Sequence, residues 1–305
     1  MKDGAQTGVE LQHSQPKADP PLADITPLLL TKYQTLQEIL TSLGSVVIGY
    51  SGGVDSTLLL KVATDVLGKN ALAVIGKSET YPTREYEEAV KLAESFGAKS
   101  EVVTTEETDN LKFQENPPDR CYFCKTELFS KLHVIAEARN IPWIADGTIT
   151  DDVGDFRPGM KAKKENNVRS PLLEAEMSKA DVRELSKHLG LPTWEKGSFA
   201  CLASRFPYYF GITKENLMKV DSAESLLRDL GFKYFRVRHH DDKTARIEVA
   251  PEELHRLFDS ALREQIVSHL KTLGFTYVTL DLQGYRTGSM NETLSAREKS
   301  EFMQV

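Results

Sequence analysis

The sequence has few cysteines, no long apolar run and no excess of positive charge, and each absence excludes a class of protein. Three cysteines among 305 residues, an odd number, argue against the disulfide framework of a small secreted domain. No apolar run approaches the roughly 18 to 20 residues that a membrane-spanning helix needs. The net charge of -7 gives no global basic footprint for nonspecific nucleic-acid binding, although it does not exclude a local basic patch.

The N-terminal segment is polar and differs in composition from the rest of the chain. Residues 1–23 are rich in Gln, Pro, Asp and Lys and lack the apolar core of a secretory signal. We expect these residues to form a disordered extension, and we expect the protein to reside in the cytoplasm. A hydrophobic content of 40% allows one large domain or two moderate ones to bury a core.

The segment Val46–Thr57 is the most informative part of the chain. A β-branched run leads into Ser-Gly-Gly-Val-Asp-Ser-Thr, and a helical pattern starts directly behind it. Two glycines allow a tight turn whose amides approach an anion, and the helix adds unpaired N–H groups at its positive end. The pattern predicts a phosphate cradle, with an ordinary strand–turn–helix corner as the alternative. Its predicted nucleotide-binding residues are Ser51, Gly52, Gly53, Val54, Asp55, Ser56 and Thr57.

The type of phosphate loop follows from two further features. Asp55 is placed to hold the Mg²⁺ that phosphates bring. The segment has no Gly-Lys-Ser/Thr, so it does not match the kinase-type P-loop. It resembles the pyrophosphate loop of the ATP pyrophosphatases, which bind ATP and release pyrophosphate after adenylating a substrate oxygen.

Strands and helices alternate along the chain after residue 24. We predict helices at 25–43, 83–96 and 121–140 and strands from 46 and at 71–75, 100–105 and 141–145. This order predicts right-handed βαβ units and a parallel sheet covered on both faces. Ligands of such sheets lie at the carboxyl ends of the strands. Ser78 and Gly147 follow two of these strands, and we therefore add them to the nucleotide site.

A smaller unit is predicted to begin near Phe206. Before it, the charged stretch 150–170 is predicted as a loop, either solvated or covering the active site, and Ser178 as the N-cap of a helix ending at Gly190. The order helix, two strands, helix and strand then predicts a small α+β domain. The predicted segments are 214–230, 234–239, 246–249, 251–273 and 277–282.

The three cysteines allow several interpretations. Cys121 and Cys124 form a C-x-x-C at the start of a helix, whose positive end favours ionised thiols and metal ligation. Alone, this spacing fits a redox pair, a zinc site or buried core residues. With Cys201 added, the set matches a [4Fe–4S] cluster with three thiolate ligands and one open iron. Zinc, and no metal with Cys201 as the only reactive thiol, remain alternatives.

Several motifs together resemble one family. They are the pyrophosphate loop, the segments 120–125 and 200–207, the strand 235–238 and the segment 281–289. The chain is similar over about residues 25–295 to the LarE family, ATP-dependent sulfur transferases that help build the nickel-pincer nucleotide cofactor of lactate racemase. The resemblance implies a parallel-sheet ATP pyrophosphatase domain of the adenine nucleotide alpha hydrolase-like fold over 24–205. A smaller α+β substrate and oligomerisation domain over 206–305 would follow it.

The family resemblance also implies a reaction. ATP and Mg²⁺ would activate a carboxylate of pyridinium-3,5-biscarboxylic acid mononucleotide, pyrophosphate would leave, and a sulfur nucleophile would attack the acyl-adenylate. Family members with a single cysteine at the position of Cys201 give up its sulfur and retain dehydroalanine. Because Cys121 and Cys124 are also present, the chain resembles the three-cysteine branch, in which a [4Fe–4S] cluster is thought to carry the sulfide. The resemblance also implies assembly into trimers or hexamers, with other cofactor-biosynthesis proteins as partners.

Arginines supply the remaining predicted site residues. Arg205 follows Cys201 by four positions and could hold a carboxylate or phosphate bidentately, with a surface ion pair as the alternative. Arg236 and Arg238 share one strand face and could bind the mononucleotide phosphate. A cross-strand ion-pair ladder on a solvated face is the alternative.

Three further residues complete the predicted substrate site. The family resemblance places acidic partners of the arginines at Glu224 and Glu248. Arg286 is a weaker candidate for the same phosphate, and a turn built on Gly284 and Gly288 is its alternative.

Three other functions fit the sequence less well. A cluster-dependent tRNA thiolase of the same superfamily needs a surface for folded RNA, which the acidic balance disfavours. Carboxylate amidation, as in NAD synthesis, would leave the cysteines idle. A nucleotide-binding regulator would leave the closeness of Cys201 and Arg205 unexplained.

Overall fold

A computed structural model describes residues 25–153, 158–197, 201–286, 288–295 and 297–298. The predicted N-terminal extension lies outside these residues, as do positions 198–200 beside Cys201. The helices are α1 Pro27–Leu43, α2 Val54–Leu67, α3 Thr83–Ser95, α4 Leu111–Gln114, α5 Arg120–Ala138, α6 Gly159–Glu165, α7 Pro171–Glu174, α8 Lys179–His188, α9 Lys214–Asp229 and α10 Ser260–Thr272. The strands are β1 Val46–Gly49, β2 Ala71–Lys77, β3 Lys99–Thr104, β4 Ile144–Ala145, β5 Phe235–His239, β6 Thr244–Val249 and β7 Tyr277–Leu280.

The first sheet is parallel and has the order β3-β2-β1-β4. Strands β1 and β2 are almost continuously apolar because helices cover both of their faces. One buried cluster joins the sheet to α1, α2, α3 and α8, and a second joins its other face to α5. This arrangement confirms the predicted α/β class and brings the ends of β1, β2 and β4 to one edge.

Local signals explain where the helices begin. Thr26 accepts a hydrogen bond from the Leu29 amide at the start of α1, directly before a proline. Ser178 and Asp181 form the predicted capping box of α8, with Ser178 Oγ accepting from the Asp181 amide at 3.2 Å. The prediction of a capped helix at this position is confirmed.

The second sheet lies in the C-terminal part and has the order β5-β6-β7. Strands β5 and β6 are antiparallel, and β6 and β7 are parallel. Helices α9 and α10 pack on this sheet around a buried core that includes Leu227, Val237 and Ile266. The predicted smaller α+β domain is therefore present.

Two sequence predictions were wrong. The stretch 150–170 is not one loop, because α6 occupies Gly159–Glu165. The helix predicted from Pro251 to Leu273 is interrupted: a 3-10 helix ends at Phe258, and Asp259 then caps α10 by accepting from the Leu262 amide at 2.8 Å. The aspartate side chain starts a new helix there because it satisfies an amide that lacks a helical partner.

Candidate active site

A cavity of about 400 Å³ opens at the carboxyl ends of β1, β2 and β4. Its wall combines the predicted phosphate loop with residues that follow the other two strands and with two of the three cysteines. The lining residues used below are Ser51, Gly53, Asp55, Ser56, Ser78, Thr80, Tyr81, Glu107, Cys124, Asp146, Gly147, Asp152 and Cys201. The sequence prediction that these strand ends share one site agrees with this arrangement.

The phosphate loop has the backbone that its glycines predict. Gly52 has φ +61°, a left-handed conformation that side chains disfavour. A Cβ there would lie 2.6 Å from the Ala89 Cβ of α3, so any side chain would also clash. Gly53 caps α2 without a side-chain hydrogen bond, which leaves the amides at the helix start suited to an anion.

The end of β4 packs directly against this loop. A Cβ on Gly147 would lie 2.9 Å from the Ser56 amide nitrogen, so only glycine lets the two backbones approach this closely. Beside it, Asp146 accepts a hydrogen bond from Ser170 Oγ at 2.6 Å. Gly147 is thus a part of the cavity wall whose lack of a side chain maintains the shape of the loop.

Asp55 lies in the first turn of α2, and Lys179 contacts its carboxylate. The Lys179 Nζ lies 2.7 Å from Oδ1 and 2.6 Å from Oδ2. Burial raises the pKa of Asp55 above its ordinary value, Lys179 opposes that shift, and Asp152 adds to it. Sequence analysis did not identify Lys179 as the partner of Asp55, because the two residues are 124 positions apart.

Two side chains hold the loop, one from the segment between β2 and α3 and one from the segment before Cys201. The hydroxyl of Tyr81 donates to the Ser51 carbonyl at 2.6 Å, and Lys196 Nζ donates to the Gly52 carbonyl at 3.4 Å. Lys196 also pairs with the buried Glu85 at 2.6 Å. Sequence analysis missed Tyr81, Glu85 and Lys196, since nothing in their local pattern indicates this role.

Ser78 belongs to a hydrogen-bonded cluster on the wall between the loop and the cysteines. Its hydroxyl and that of Thr80 donate to Glu107 Oε1 at 2.7 and 2.6 Å. The Cys124 sulfur lies 3.9 Å from the same oxygen. Glu107 is buried, and its Oε2 has no hydrogen-bond partner in the structure. The cluster links the predicted nucleotide residue Ser78 to the thiol side of the cavity.

The three cysteines are free thiols that influence one another. Burial raises the pKa of Cys124 well above its ordinary value, and the charges of Glu107, Cys201 and Cys121 add to it. Burial also raises the pKa of Cys201, Cys121 adds to the shift, and Arg120 and Arg205 oppose it. For Cys124 these effects outweigh the ionisation expected from the start of α5, so the thiol needs a cation or an iron to ionise.

The next question is which of the described residues could bind a metal ion. Within them, no group of three or more His, Cys, Asp or Glu side chains is close enough to hold a metal ion. Mg²⁺ is usually bound by one or two carboxylates together with substrate phosphates, and Asp55 fits that description. Among the described residues the three cysteines therefore do not form a ready-made metal site, either for zinc or for a cluster. A [4Fe–4S] cluster would take one thiolate on each of three irons. Cys124 and Cys201 line the cavity, and Cys121 is exposed near the start of α5.

Arg120, the first residue of α5, is the most unusual charge near the thiols. It is buried, and its guanidinium lies 5.0 Å from the centre of the Tyr208 ring. Among the described residues, its Nε and Nη1 have no hydrogen-bond partner. Burial opposes the shift, but interactions with Cys121, Cys201 and Tyr208 raise the pKa of Arg120 above its ordinary value. A buried cation of this kind favours an anion at the cysteines, a role that the sequence did not reveal.

Arg205 is fully buried and points away from the solvent. Its Nε and Nη2 donate to the two carboxylate oxygens of Glu224 at 2.9 and 2.8 Å. Its Nη1 donates to the Cys201 carbonyl at 3.1 Å and to Ser204 Oγ at 2.9 Å. The alternative of an ion pair at the surface fits the pairing but not the burial. In this structure Arg205 holds the backbone of Cys201 against α9.

The arginines of β5 form a buried network with the same loop. Arg236 lies opposite Glu248 and Arg238 opposite Arg246 in the sheet register. Arg238 donates to both oxygens of Glu248, at 2.9 and 2.7 Å, and to the Ser204 carbonyl at 3.0 Å. The alternative of a solvated ladder is wrong, because Arg236, Arg238 and Glu248 are all buried.

Arg236 differs from its neighbour in its electrostatics. Burial and the nearby Arg205 lower its pKa to about 10, although Glu224 opposes the shift. The guanidinium lies 5.0 Å from the centre of the Tyr285 ring. An anion bound here would relieve the repulsion between Arg236 and Arg205.

Arg286 stands apart from this buried network. It pairs with the exposed Glu292, with nitrogen–oxygen distances of 3.1 and 3.2 Å, and donates to the Gly284 carbonyl at 3.2 Å. Asp281 lies between it and Arg246, with distances of 3.6 and 3.7 Å. Arg286 is therefore at the rim of the arginine network, on the turn that was its alternative interpretation.

Comparison with known proteins decides the family. A family model described as NAD synthase matches residues 30–137. An uncharacterised protein of Synechocystis is 43% identical over 88% of this chain and 100% of its own length. The pyridinium-3,5-bisthiocarboxylic acid mononucleotide synthase of Lactiplantibacillus plantarum is 42% identical over 90% of this chain and 99% of its own. The chain belongs to the LarE family.

A more distant relative extends the comparison. An uncharacterised protein of Methanocaldococcus jannaschii is 30% identical over 79% of this chain and 91% of its own length. The parallel sheet of this LarE-family chain agrees with the matched NAD synthase domain, which covers the phosphate loop and β1 to β3. The resemblance read from the sequence motifs is confirmed.

Proposed function

We propose that this protein is an ATP-dependent sulfur transferase that converts pyridinium-3,5-biscarboxylic acid mononucleotide to the bisthiocarboxylic acid form, a step in making the nickel-pincer nucleotide. The observation that carries the proposal is that the phosphate loop and Cys201 line one cavity. ATP and a sulfur-bearing residue can therefore meet the same substrate carboxylate. The synthase of Lactiplantibacillus plantarum, with matching length, supports this substrate.

The loop supplies the activation step in this proposal. A carboxylate is a poor electrophile, so its oxygen attacks the α-phosphate of ATP and pyrophosphate leaves. The amides at the start of α2 and the hydroxyls of Ser51 and Ser56 bind the phosphates, and Asp55 holds Mg²⁺. Ser78 and Gly147 shape the cavity walls around the nucleotide. Sulfur then displaces AMP from the acyl-adenylate.

The thiol side supplies the sulfur. We propose that Cys121, Cys124 and Cys201 hold a [4Fe–4S] cluster, which when bound would supply an open iron for a labile sulfide. Two observations support this assignment: Cys124 and Cys201 line one cavity, and the buried Arg120 has guanidinium nitrogens without a partner among the described residues, which favours an anion nearby. The alternative is that Cys201 gives up its own sulfur. Arg205 positions Cys201 in either case through its backbone carbonyl.

The buried arginines supply a site for the phosphate of the mononucleotide. We assign this phosphate to Arg236 and Arg238, with Arg286 at the rim. Glu248 holds the Arg238 guanidinium in place, and Glu224 accepts from the Val237 amide between the two arginines. The Ser204 carbonyl contacts Arg238, which connects this site to the Cys201 loop. A substrate anchored there would be directed toward the cavity by its phosphate.

The domain division and the assembly remain proposals. A boundary at 205/206 falls within an apolar cluster that joins Phe113 and Leu202 to Leu217 of α9, so the two proposed domains share a core. Self-association into trimers or hexamers is proposed from the family resemblance alone, and Phe258 and Tyr277 are exposed side chains that such contacts could cover. Free thiols support a reducing compartment and hence the cytoplasm.

Among the described residues, no helix combines the length and apolarity needed to span a bilayer.

The proposed function is tested by following both half-reactions with purified protein, ATP, Mg²⁺ and the biscarboxylic acid mononucleotide. Pyrophosphate release reports activation, and a mass increase of the substrate reports sulfur insertion. Cys201→Ser should release pyrophosphate without forming thiocarboxylate, because only the sulfur step needs the thiol. Asp55→Asn should do neither while remaining folded. Pyrophosphate release that depends on tRNA instead of the mononucleotide would contradict the proposed substrate.

A further inference from the structure

The contact between Lys179 and Asp55 occupies the carboxylate in a particular way. The Nζ lies 2.7 Å from one carboxylate oxygen and 2.6 Å from the other. An ammonium group within hydrogen-bond distance of both oxygens occupies the side of the carboxylate from which a metal ion would approach either oxygen. Asp55 lines the nucleotide cavity, so the ammonium group competes for the position assigned to Mg²⁺.

The backbone of Lys179 is fixed while its side chain can move. Its amide donates to Asp151 Oδ2 at 2.8 Å, and the capping box of Ser178 and Asp181 fixes the start of α8. Lys32 pairs with Asp181 at 2.8 Å and ties the same turn to α1. The Lys179 side chain is 39% exposed, so its long stem can swing without disturbing the helix.

The charges around the pair favour an exchange of cations over their coexistence. Asp55 and the nearby Asp152 provide the negative charge there, and Asp152 lines the same cavity. A divalent cation arriving alone would have to displace the ammonium group from Asp55. A cation arriving with a nucleotide brings phosphates, which give the displaced ammonium group a new anionic partner within the cavity.

We propose that Lys179 is an internal cation that occupies the metal-binding face of Asp55 until metal and nucleotide arrive together, and that it then pairs with the phosphates. The inference rests on the proposed function only in taking the bound nucleotide to be ATP. Metal and nucleotide then bind cooperatively, because each makes the displacement of Lys179 easier for the other. The free protein is kept from binding the metal in the absence of ATP.

The test measures binding of Mn²⁺, a paramagnetic substitute for Mg²⁺, to the full chain by electron paramagnetic resonance. In the absence of nucleotide, Lys179→Met should bind Mn²⁺ at least about fivefold more tightly than the parent, because the competing cation is gone. A non-hydrolysable ATP analogue should then increase Mn²⁺ affinity less in Lys179→Met than in the parent. Its pyrophosphate release should be slower, since the phosphates lose a positive partner.

Two further variants make the result specific. Lys61→Ala removes another lysine–aspartate pair, with Asp65 on the exposed side of α2, and should bind Mn²⁺ like the parent. Asp55→Asn combined with Lys179→Met should lose the gain in affinity. Unchanged Mn²⁺ affinity in folded Lys179→Met, or a gain that persists in the double variant, would overturn the proposal.

These measurements separate the inference from the proposed function. The Mn²⁺ titration contains no sulfur acceptor, so a wrong substrate assignment leaves its outcome unchanged. If the Mn²⁺ affinities change as stated but no thiocarboxylate forms, the proposed function fails and the role of Lys179 stands. If thiocarboxylate forms but the Mn²⁺ affinities do not change as stated, the role of Lys179 fails and the proposed function stands.

Discussion

The shape of the phosphate loop depends on the absence of a side chain at Gly52, and Gly52→Ala tests this directly. Two costs combine at this position. The backbone at φ +61° disfavours an L-residue by about 1 to 2 kcal/mol. The new Cβ would also lie 2.6 Å from the Ala89 Cβ and 3.1 Å from its Cα, which adds an overpacking cost of about 1 to 3 kcal/mol.

A matched control separates the two costs. Gly190, directly after α8, has φ +68°, and a Cβ built there meets no atom of the described residues within 4 Å. Gly190→Ala should therefore lower the free energy of unfolding by the backbone cost alone, about 1 to 2 kcal/mol. Gly52→Ala should exceed it by the overpacking cost. The assay is urea unfolding followed by circular dichroism, together with pyrophosphate release at saturating ATP.

The clash has a partner that can be removed. Ala89→Gly alone should cost about 1 kcal/mol, because glycine inside α3 lowers helix stability. In the Gly52→Ala background the same change should restore stability, giving a coupling of about 1 to 3 kcal/mol in the double-mutant cycle. Pyrophosphate release should recover only in part, because the backbone strain at Gly52 remains. If Gly52→Ala costs no more than Gly190→Ala, or the coupling is absent, the described packing of α3 on the loop is wrong.

Two further predictions concern the thiol side. Arg205→Met should lower the free energy of unfolding by about 3 to 5 kcal/mol, because Glu224 stays buried without its partner. Adding Glu224→Leu should restore much of the lost stability. An unchanged urea midpoint in Arg205→Met would contradict the buried pair. Anaerobic reconstitution should give about four irons per chain in the parent and a clear loss in Cys121→Ala. Ser130→Ala, on the exposed side of the same helix, should keep its iron, and full iron in Cys121→Ala would remove that cysteine from the ligand set.

Sequence patterns were sufficient for the fold class because they depend on local properties. The continuous apolar runs of β1 and β2 predicted a covered parallel sheet, and the glycines of the loop predicted its turn. Element ends were less accurate where a short signal was overlooked. Strand β4 has only two residues, Ile144 and Ala145, instead of the predicted 141–145, and Pro142 lacks the N–H that a ladder needs.

The candidate site was predictable only where its residues form a continuous motif. The phosphate loop and the C-x-x-C could be read directly, but Lys179, Glu107 and Arg120 act through neighbours brought together by folding. Burial also changed the interpretation of residues that were predicted. Arg205 was expected to bind a ligand or a surface acid, yet its guanidinium is buried against Glu224 because α9 covers it. Spacing along the chain carries no information about such packing.

We propose that one cavity joins ATP-dependent carboxylate activation to sulfur transfer. Mass spectrometry of the biscarboxylic acid mononucleotide after incubation with the reconstituted protein, ATP and Mg²⁺ provides the decisive test. We expect sulfur to replace carboxylate oxygen, with AMP and pyrophosphate formed alongside, and no such product from Cys201→Ser. An unmodified mononucleotide from a folded, reconstituted protein that still cleaves ATP in its presence would contradict the claim.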